Sequence, residues 1–263
     1  MSVQITSGTP DNSSVRRKDK GEGSGDGLLL RFAQEMSQPG VVVTWLNHWS
    51  IQHANWEAMA RMHLVGVDGT LLQLVLRRHG HVVGRTSADL VLPLVLDQVL
   101  APDARVVLLG AAPGVARRAA ERLAPREVLA LDGFDELYST RADPSILVDF
   151  NPSLVVVGLG AGLQEEVAAE IHAVLPHATV CTAGGWIDQF ARSEHYFPAW
   201  VHQLRVGWLW RIAHEPRRLL GRYTADALAL VGRTRELVHR KVSLGGTFTE
   251  LGLDRRAALA GGT

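Results

Sequence analysis

Six short apolar runs, separated by segments of helical length, are the feature that most constrains how this chain can fold. The runs are rich in Val and Leu, and several contain no polar residue, as is typical of strands covered on both faces of a sheet. Segments 70–79, 87–100, 114–124 and 163–175 have apolar residues at helical spacing. Alternating strands and helices predict an α/β fold with a mainly parallel sheet and helices on both faces. The predicted strands are Val41–Leu46, His63–Val67, Arg105–Gly110, Glu127–Leu131, Leu154–Gly158 and Thr179–Thr182.

Composition divides the chain into four parts. Residues 1–27 are polar and rich in Gly and Ser, which predicts a disordered tail. Residues 28–197 contain the strand–helix pattern and predict a Rossmann-like domain. Residues 198–242 contain three Trp, and nine Arg or Lys against three acids, which predicts a C-terminal appendage of basic amphipathic helices. Residues 243–263 are expected to form a flexible tail. The appendage fits either a membrane surface or a helical layer packed on the sheet.

The charge and cysteine content exclude several classes of protein. A formal net charge of zero disfavours a dedicated nucleic-acid binder. The single cysteine, Cys181, excludes an internal disulfide framework and fits a reducing cytoplasm. The chain has no apolar leader and no run of about 18 apolar residues, so we expect no signal peptide and no membrane span. These observations predict a cytoplasmic protein that is soluble or peripheral on a membrane, and they leave open whether it forms a homo-oligomer.

Chemically useful residues follow the predicted strands. Asp68 follows the second strand in a Val-Asp-Gly turn, and Arg85 lies in an Arg-Thr-Ser-Ala-Asp turn after the next helical segment. Ligands of open parallel sheets bind beyond the carboxyl ends of the strands, where these turns are expected to meet. An acid and an arginine there suit an enzyme that deprotonates one group and stabilises negative charge on another. The alternative for Arg85 is a structural ion pair with Asp89.

Two glycine-rich turns follow the third and fifth predicted strands. They begin at Gly110 and Gly158, and the second continues through Gly160 to Gln164. Helix N-termini after such turns bind phosphate through free N–H groups, although each turn also fits a tight strand–helix connection. Neither turn completes Gly-x-Gly-x-x-Gly, and we expect no acid at a strand end at the distance typical of nicotinamide binding, so a nicotinamide-dependent enzyme is disfavoured.

No metal site is expected from the sequence. The eleven histidines show no ligand spacing. Asp132 and Asp135 are one residue too far apart for the Asp-x-Asp pattern of metal-dependent sugar-nucleotide enzymes. At the end of the first strand, Thr44 and Asn47 are candidates for ligand contact.

The order of these motifs resembles the WecG/TagA/CpsF glycosyltransferases (glycosyltransferase family 26) over roughly residues 40–230. The resemblance rests on Asp-Gly, Arg-Thr-x-x-Asp-Leu, Leu-Leu-Gly-x-x-Pro-Gly-Val-Ala, Val-Gly-Leu-Gly-x-x-x-Gln-Glu, Gly-Gly-x-x-Asp and Trp-Leu-x-Arg-x-x-x-Glu-Pro-Arg-Arg-Leu. It implies inverting, metal-independent transfer of a sugar from a UDP-sugar to a polyprenyl-diphosphate-linked acceptor in cell-surface or exopolysaccharide biosynthesis, without a cofactor. The implied donors carry an N-acetylmannosamine-type or glucose-type sugar.

The resemblance also implies roles for single residues. Asp68 matches the acid proposed to deprotonate the acceptor, and Arg85 matches the arginine that would stabilise the leaving diphosphate. Gln164, Glu165 and Asp188 match positions that would hold the donor, although Asp188 also fits a structural role. The matching C-terminal element implies peripheral association with the inner face of the cell membrane through Trp208, Arg211, Arg217, Arg218 and Arg222.

The chain departs from the family pattern at several positions. Gly162 and Leu163 stand where the family usually has Pro-Lys, and Tyr196 begins the segment that usually reads Arg-Ala-Pro. Two cations of the pattern are therefore replaced. These losses motivate an alternative: a catalytically weakened relative that binds a glycolipid or a synthase partner.

Overall fold

Six parallel strands form the centre of the computed structural model, which describes residues 25–193, 229–230, 232, 247–249 and 252–254. Their order in the sheet is β4-β3-β5-β6-β1-β2. The predicted α/β class, the parallel sheet and all six strands are confirmed, and no strand boundary differs by more than one residue. The strands are β1 (Val42–Leu46), β2 (Leu64–Val67), β3 (Val106–Gly110), β4 (Val128–Leu131), β5 (Leu154–Gly158) and β6 (Thr179–Thr182).

Ten α-helices connect or flank these strands within residues 25–193. They are α1 (Gly25–Met36), α2 (Ser50–His53), α3 (Trp56–Met59), α4 (Thr70–Arg78), α5 (Ala88–Leu94), α6 (Val115–Glu121), α7 (Asp135–Ala142), α8 (Ser145–Phe150), α9 (Leu163–Val174) and α10 (Trp186–Arg192). A wider helical turn, Val95–Val99, continues α5. No helix in the described part of the chain is long and apolar enough to cross a bilayer.

Alternating side chains of the strands build one core on each face of the sheet. Val107 and Leu109 of β3 face one core, whereas Val106 and Leu108 face the other. Helices α1, α5, α6 and α10 cover the face of Val106, and α2, α3, α4, α7, α8 and α9 cover the opposite face. Because both faces are covered, the strands are largely buried and mostly apolar, which is why they were recognisable in the sequence.

Several helices were not predicted. Helix α1 begins at Gly25, just before the boundary placed at residue 28. Residues 135–150 form two short helices, α7 and α8, with Asp143 and Pro144 between them. Each has fewer than three helical turns, so neither repeats an apolar stripe often enough to be distinguished from a loop.

The C-terminal part returns to the sheet at two described places. Strand β8 (Gly252–Asp254) pairs antiparallel with β2 and with β7 (Thr247–Thr249), so this hairpin extends the sheet on the β2 side. Leu230 is fully buried in the core that contains α4 and α9. The hairpin lies within the segment expected to be a flexible tail, where no strand was predicted. Most of the predicted appendage, including all five membrane-association residues, lies outside the described residues.

The sheet has two switch points at its carboxyl edge. After β3 the chain turns through α6 towards β4, and after β5 it turns through α9 towards β6. Helices α6 and α9 lie on opposite faces, so a crevice opens between the ends of β3 and β5. A second crevice opens between β6 and β1, because α10 and α2 also lie on opposite faces. Ligands of open α/β sheets bind in such crevices.

Candidate active site

One cavity of about 790 Å³ spans both crevices. Its size suits a ligand as large as a sugar nucleotide or a drug-sized molecule. Six of the nine predicted catalytic and substrate-binding residues line it: Asn47, Asp68, Arg85, Gly160, Gln164 and Asp188. The other three, Thr44, Gly110 and Glu165, are not among its lining residues.

Thr86 brings Arg85 beside Asp68. Its N–H donates to the carbonyl of Val67 at 3.0 Å, and its Oγ1 accepts from the N–H of Val67 at 3.2 Å. The indole N–H of Trp45, on the neighbouring strand, donates to the Thr86 carbonyl. The segment after α4 is therefore fixed to the end of β2, one residue before Asp68. The hydrogen bonds between Thr86 and Val67 place Arg85 beside Asp68, although the two residues are 17 positions apart in the sequence.

Arg85 lies between two carboxylates. Its Nη2 is 3.9 Å from Oδ1 of Asp68 and 3.6 Å from Oδ2 of Asp89. The structure therefore places Arg85 near the candidate base and also near Asp89, its partner in the alternative structural ion pair. These distances exceed normal hydrogen-bond length, and the buried Nε of Arg85 has no hydrogen-bond partner. Neither carboxylate therefore saturates the Nη2 donor of the guanidinium.

Negative charge dominates the described lining of the cavity. Asp68, Asp89 and Asp188 are its carboxylates, and Arg85 is its only arginine or lysine among the described residues. A bound diphosphate would therefore depend on Arg85, on backbone N–H groups and on helix N-termini. No group of three His, Cys, Asp or Glu side chains that could hold a metal ion occurs in the described part of the chain.

The two glycine-rich turns touch each other. Gly110 has a φ of +139°, and a Cβ there would lie 2.3 Å from the carbonyl oxygen of Gly158. Glycine at residue 110 thus permits the close approach of β3 and β5, while Ala111 and Ala112 face the cavity. Gly160 lines the cavity with open space beside its Cα. Gly110 therefore shapes the floor, and Gly160 leaves room for a ligand.

Glu165 lies beneath the cavity and is fully buried. Its carboxylate accepts from the N–H of Gly162 at 2.6 Å and from Nε2 of Gln164 at 2.8 Å. It also accepts from the backbone of Asn55, the residue that precedes α3. Burial raises the pKa of Glu165 above its usual value, and these hydrogen bonds oppose the rise. The side chain thus ties the turn after β5 to the segment before α3.

Gln164 lies above this tie and lines the cavity. Its Oε1 accepts from the N–H of Gly184 at 3.2 Å, which connects the turn after β5 to the turn after β6. Asp188 lies in the first turn of α10 and faces the same cavity.

Asn47 and Thr44 at the end of β1 have different environments. Oδ1 of Asn47 accepts from the N–H groups of Trp49 and Ser50 at 2.9 and 2.8 Å. The amide nitrogen is the part of Asn47 left for a ligand. Thr44 is fully buried, and its hydroxyl lies 2.6 Å from that of Thr182, which lines the cavity. Thr44 therefore supports the floor from below.

Sequence reasoning missed a cavity residue in the turn after β4. Phe134 lines the cavity and is 55% exposed. Asp68 was identified because it follows a predicted strand. The same criterion points to this turn, because β4 was predicted correctly. The expectation that no acid ends a strand at the distance typical of nicotinamide binding was wrong, because Asp132 directly follows β4, 22 residues after Gly110. Its Oδ1, however, accepts from the N–H groups of Phe134 and Glu136, so this carboxylate caps its own turn.

The structure is that of a Rossmann-like α/β protein with a large cavity at the carboxyl edge of its sheet, where an acid and an arginine meet. Residues 26–243 match the model of the Glycosyl transferase WecG/TagA/CpsF family. The match covers more than half of the chain, so the protein belongs to this family of glycosyltransferases, whose activity implies a sugar donor and a glycoconjugate acceptor. The resemblance found in the sequence is thereby confirmed.

Proposed function

We propose that the protein transfers an N-acetylmannosamine-type or glucose-type sugar from a UDP-sugar to a polyprenyl-diphosphate-linked acceptor, with inversion and without a metal ion. The observation that carries the proposal is the meeting of Asp68 and Arg85 at the wall of the large cavity. We place the reaction at the inner face of the cell membrane, in cell-surface or exopolysaccharide biosynthesis.

A single displacement accounts for the roles of Asp68 and Arg85. Asp68 accepts the proton of the acceptor hydroxyl, and the acceptor oxygen bonds to the anomeric carbon from the side opposite the diphosphate. The bond from the anomeric carbon to the phosphate oxygen breaks, and UDP leaves with that electron pair. Arg85 stabilises the charge that develops on the diphosphate. Attack from the opposite side inverts the configuration.

The shape of the cavity supports one orientation of the donor. The diphosphate lies over Gly160 and the N-terminus of α9, where backbone N–H groups and the helix dipole favour an anion. The uracil ring extends towards Phe134, whose exposed aromatic face offers a stacking surface. The sugar then points towards Asp68 and Arg85.

A panel of UDP-sugars, with other nucleoside diphosphate sugars and NAD as controls, tests the donor class by thermal shift. A ligand at 100 times its Kd stabilises the native state by roughly 2.7 kcal/mol. We expect stabilisation by UDP-sugars and transfer of the same sugar to a polyprenyl-diphosphate-linked saccharide. Stabilisation by NAD alone would refute the proposal and favour the nicotinamide-dependent alternative.

A second candidate function is binding without turnover, as a weakened relative that recognises a glycolipid or a synthase partner. It is favoured by the described lining of the cavity, where three carboxylates face a single arginine. Stabilisation by several UDP-sugars with no product from any of them would support this candidate over catalysis.

A further inference from the structure

Helix α4 and the segment after it carry an exposed apolar and basic surface that the site chemistry does not use. Leu74 is 57% exposed and Val82 is 74% exposed. Arg77 and Arg78, in the last turn of α4, are exposed beside them. We call Leu71, Leu74, Arg77, Arg78 and Val82 the α4 lip.

The α4 lip is continuous with the reaction site. Leu71 and Leu74 line the same cavity as Asp68, which lies two residues before the first residue of α4. The opposite side of the helix is anchored in the core through Leu72, Val75 and Leu76. Leu71 is half-buried against the same core, whereas Leu74 is exposed and is not among the side chains that hold α4 on the sheet.

The charge of the α4 lip distinguishes between three partners that could cover it: residues 198–242, a second copy of the chain and a lipid bilayer. The chain has no acidic residue between Asp68 and Asp89, so the segment that carries the lip contributes only positive charge. Residues 198–242 are also basic, with nine Arg or Lys against three acids, and a second lip would be basic too. The arginines of the lip would repel both of these basic partners. Anionic lipid headgroups complement arginines, and the acyl region accepts leucine and valine side chains.

We propose that the α4 lip contacts an anionic lipid bilayer and brings the cavity entrance beside Asp68 to the lipid surface. The inference rests on the proposed function in one respect, namely that the acceptor is carried by a lipid. An acceptor embedded in the bilayer then meets Asp68 without leaving the membrane, because Leu71 and Leu74 connect the bilayer to the cavity wall.

Single-cysteine labelling tests the contact directly. Cys181 is fully buried and burial raises the pKa of its thiol, so a cysteine introduced at the surface can be labelled selectively. Leu74→Cys and Val82→Cys in the full chain receive a polarity-sensitive dye. Ile146→Cys and Val148→Cys are matched controls, because these α8 side chains are 43% and 49% exposed.

Vesicles of phosphatidylcholine with 30% phosphatidylglycerol provide the probe, and pure phosphatidylcholine vesicles are the reference. We expect a blue shift and protection from aqueous quencher at residues 74 and 82 with the anionic vesicles, and neither at residues 146 and 148. Equal behaviour at all four positions would overturn the proposal. Protection at residues 74 and 82 before vesicles are added would also overturn it, in favour of the C-terminal segment or a second copy of the chain.

A charge-reversal variant separates this inference from the proposed function. Arg77→Glu with Arg78→Glu should weaken binding to the anionic vesicles by roughly 30-fold or more, while turnover of a short-chain, water-soluble acceptor persists. Vesicle binding that is unchanged in this variant would contradict the proposed contact between the α4 lip and the bilayer. Absence of turnover in the unmodified protein, with vesicle binding through the lip intact, contradicts the proposed function alone.

Discussion

Arg85 is shared between Asp68 and Asp89 at 3.9 and 3.6 Å, so a bound diphosphate would compete with two carboxylates for one guanidinium. Neither ion pair reaches hydrogen-bond distance. The arginine is thus placed near its partners without being saturated by them, as a residue that stabilises a leaving group requires.

Replacing Arg85 with Ala should lower kcat/KM for the UDP-sugar by about 10- to 150-fold, because a hydrogen bond to a charged group contributes roughly 1.5–3 kcal/mol. Arg85→Lys should recover only part of the loss, since an ammonium group cannot contact a diphosphate with two parallel N–H groups. Steady-state kinetics measure both variants. Arg117→Ala is the control, because Arg117 is exposed and pairs with Glu136. An Arg85→Ala enzyme within twofold of wild type would rule out this role.

The sequence predicted which residues follow the strands, but not the direction of every side chain. Asp68 and Arg85 line the cavity as expected. Thr44 is buried below it because successive side chains of a strand point to opposite faces, and Glu165 is buried on the core-facing side of α9. Thr86, which fixes Arg85, could not be identified, since its role depends on hydrogen bonds to Val67 and Trp45 that only the folded sheet creates.

At the scale of elements, the turn after β5 and the segment before α3 are joined through one carboxylate. Glu165 accepts hydrogen bonds from Gly162, Gln164 and the Asn55 backbone. Such a tie is invisible in a sequence, because it joins residues more than 100 positions apart. The helical periodicity of α9 was visible in the sequence, whereas the contact of Glu165 with the Asn55 backbone was not.

Glu165→Ala should lower the free energy of unfolding by roughly 2–4 kcal/mol, since buried N–H donors lose their acceptor. Urea unfolding measures the loss. Glu166→Ala is the matched control on the next residue, where the carboxylate is partly exposed and pairs with Arg141, so the change should stay within about 1 kcal/mol. Equal losses in the two variants would show that Glu165 does not act as a tie.

The tie should also depend on pH. Burial raises the folded-state pKa of Glu165 above its usual value of 4.5. The folded protein therefore holds this proton more tightly than the unfolded chain, and the stability due to protonation is lost as the pH rises through the folded pKa. The stability difference between wild type and Glu165→Ala should narrow above about pH 4.5. A difference that widens with pH would contradict the direction of the shift.

At the scale of the whole molecule, the C-terminal part belongs to the folded unit at two points. Leu230 is buried in the core, and β8 pairs with the edge of β2. Truncation near residue 200 would therefore open the core and expose a strand edge as well as remove the predicted membrane region. Substitutions that change charge are the cleaner test of membrane association.

The triple variant Arg217→Glu, Arg218→Glu and Arg222→Glu should bind anionic vesicles at least about 100-fold more weakly, because each cation near such a surface contributes about 1 kcal/mol. Vesicle sedimentation measures the change. Arg117→Glu with Arg118→Glu on α6 is the charge-reversal control and should bind as wild type does. A triple variant that sediments like wild type would show that these arginines have another role.

Asp68 as the base that deprotonates the acceptor is the central claim. The most direct test is the rate of sugar transfer by Asp68→Asn, which keeps the size of the side chain and removes its basicity. We predict a fall in kcat of about 100- to 10,000-fold with unchanged donor binding, while Asp89→Asn, which also faces Arg85, stays within about tenfold of wild type. An Asp68→Asn enzyme with near-wild-type kcat would contradict the account.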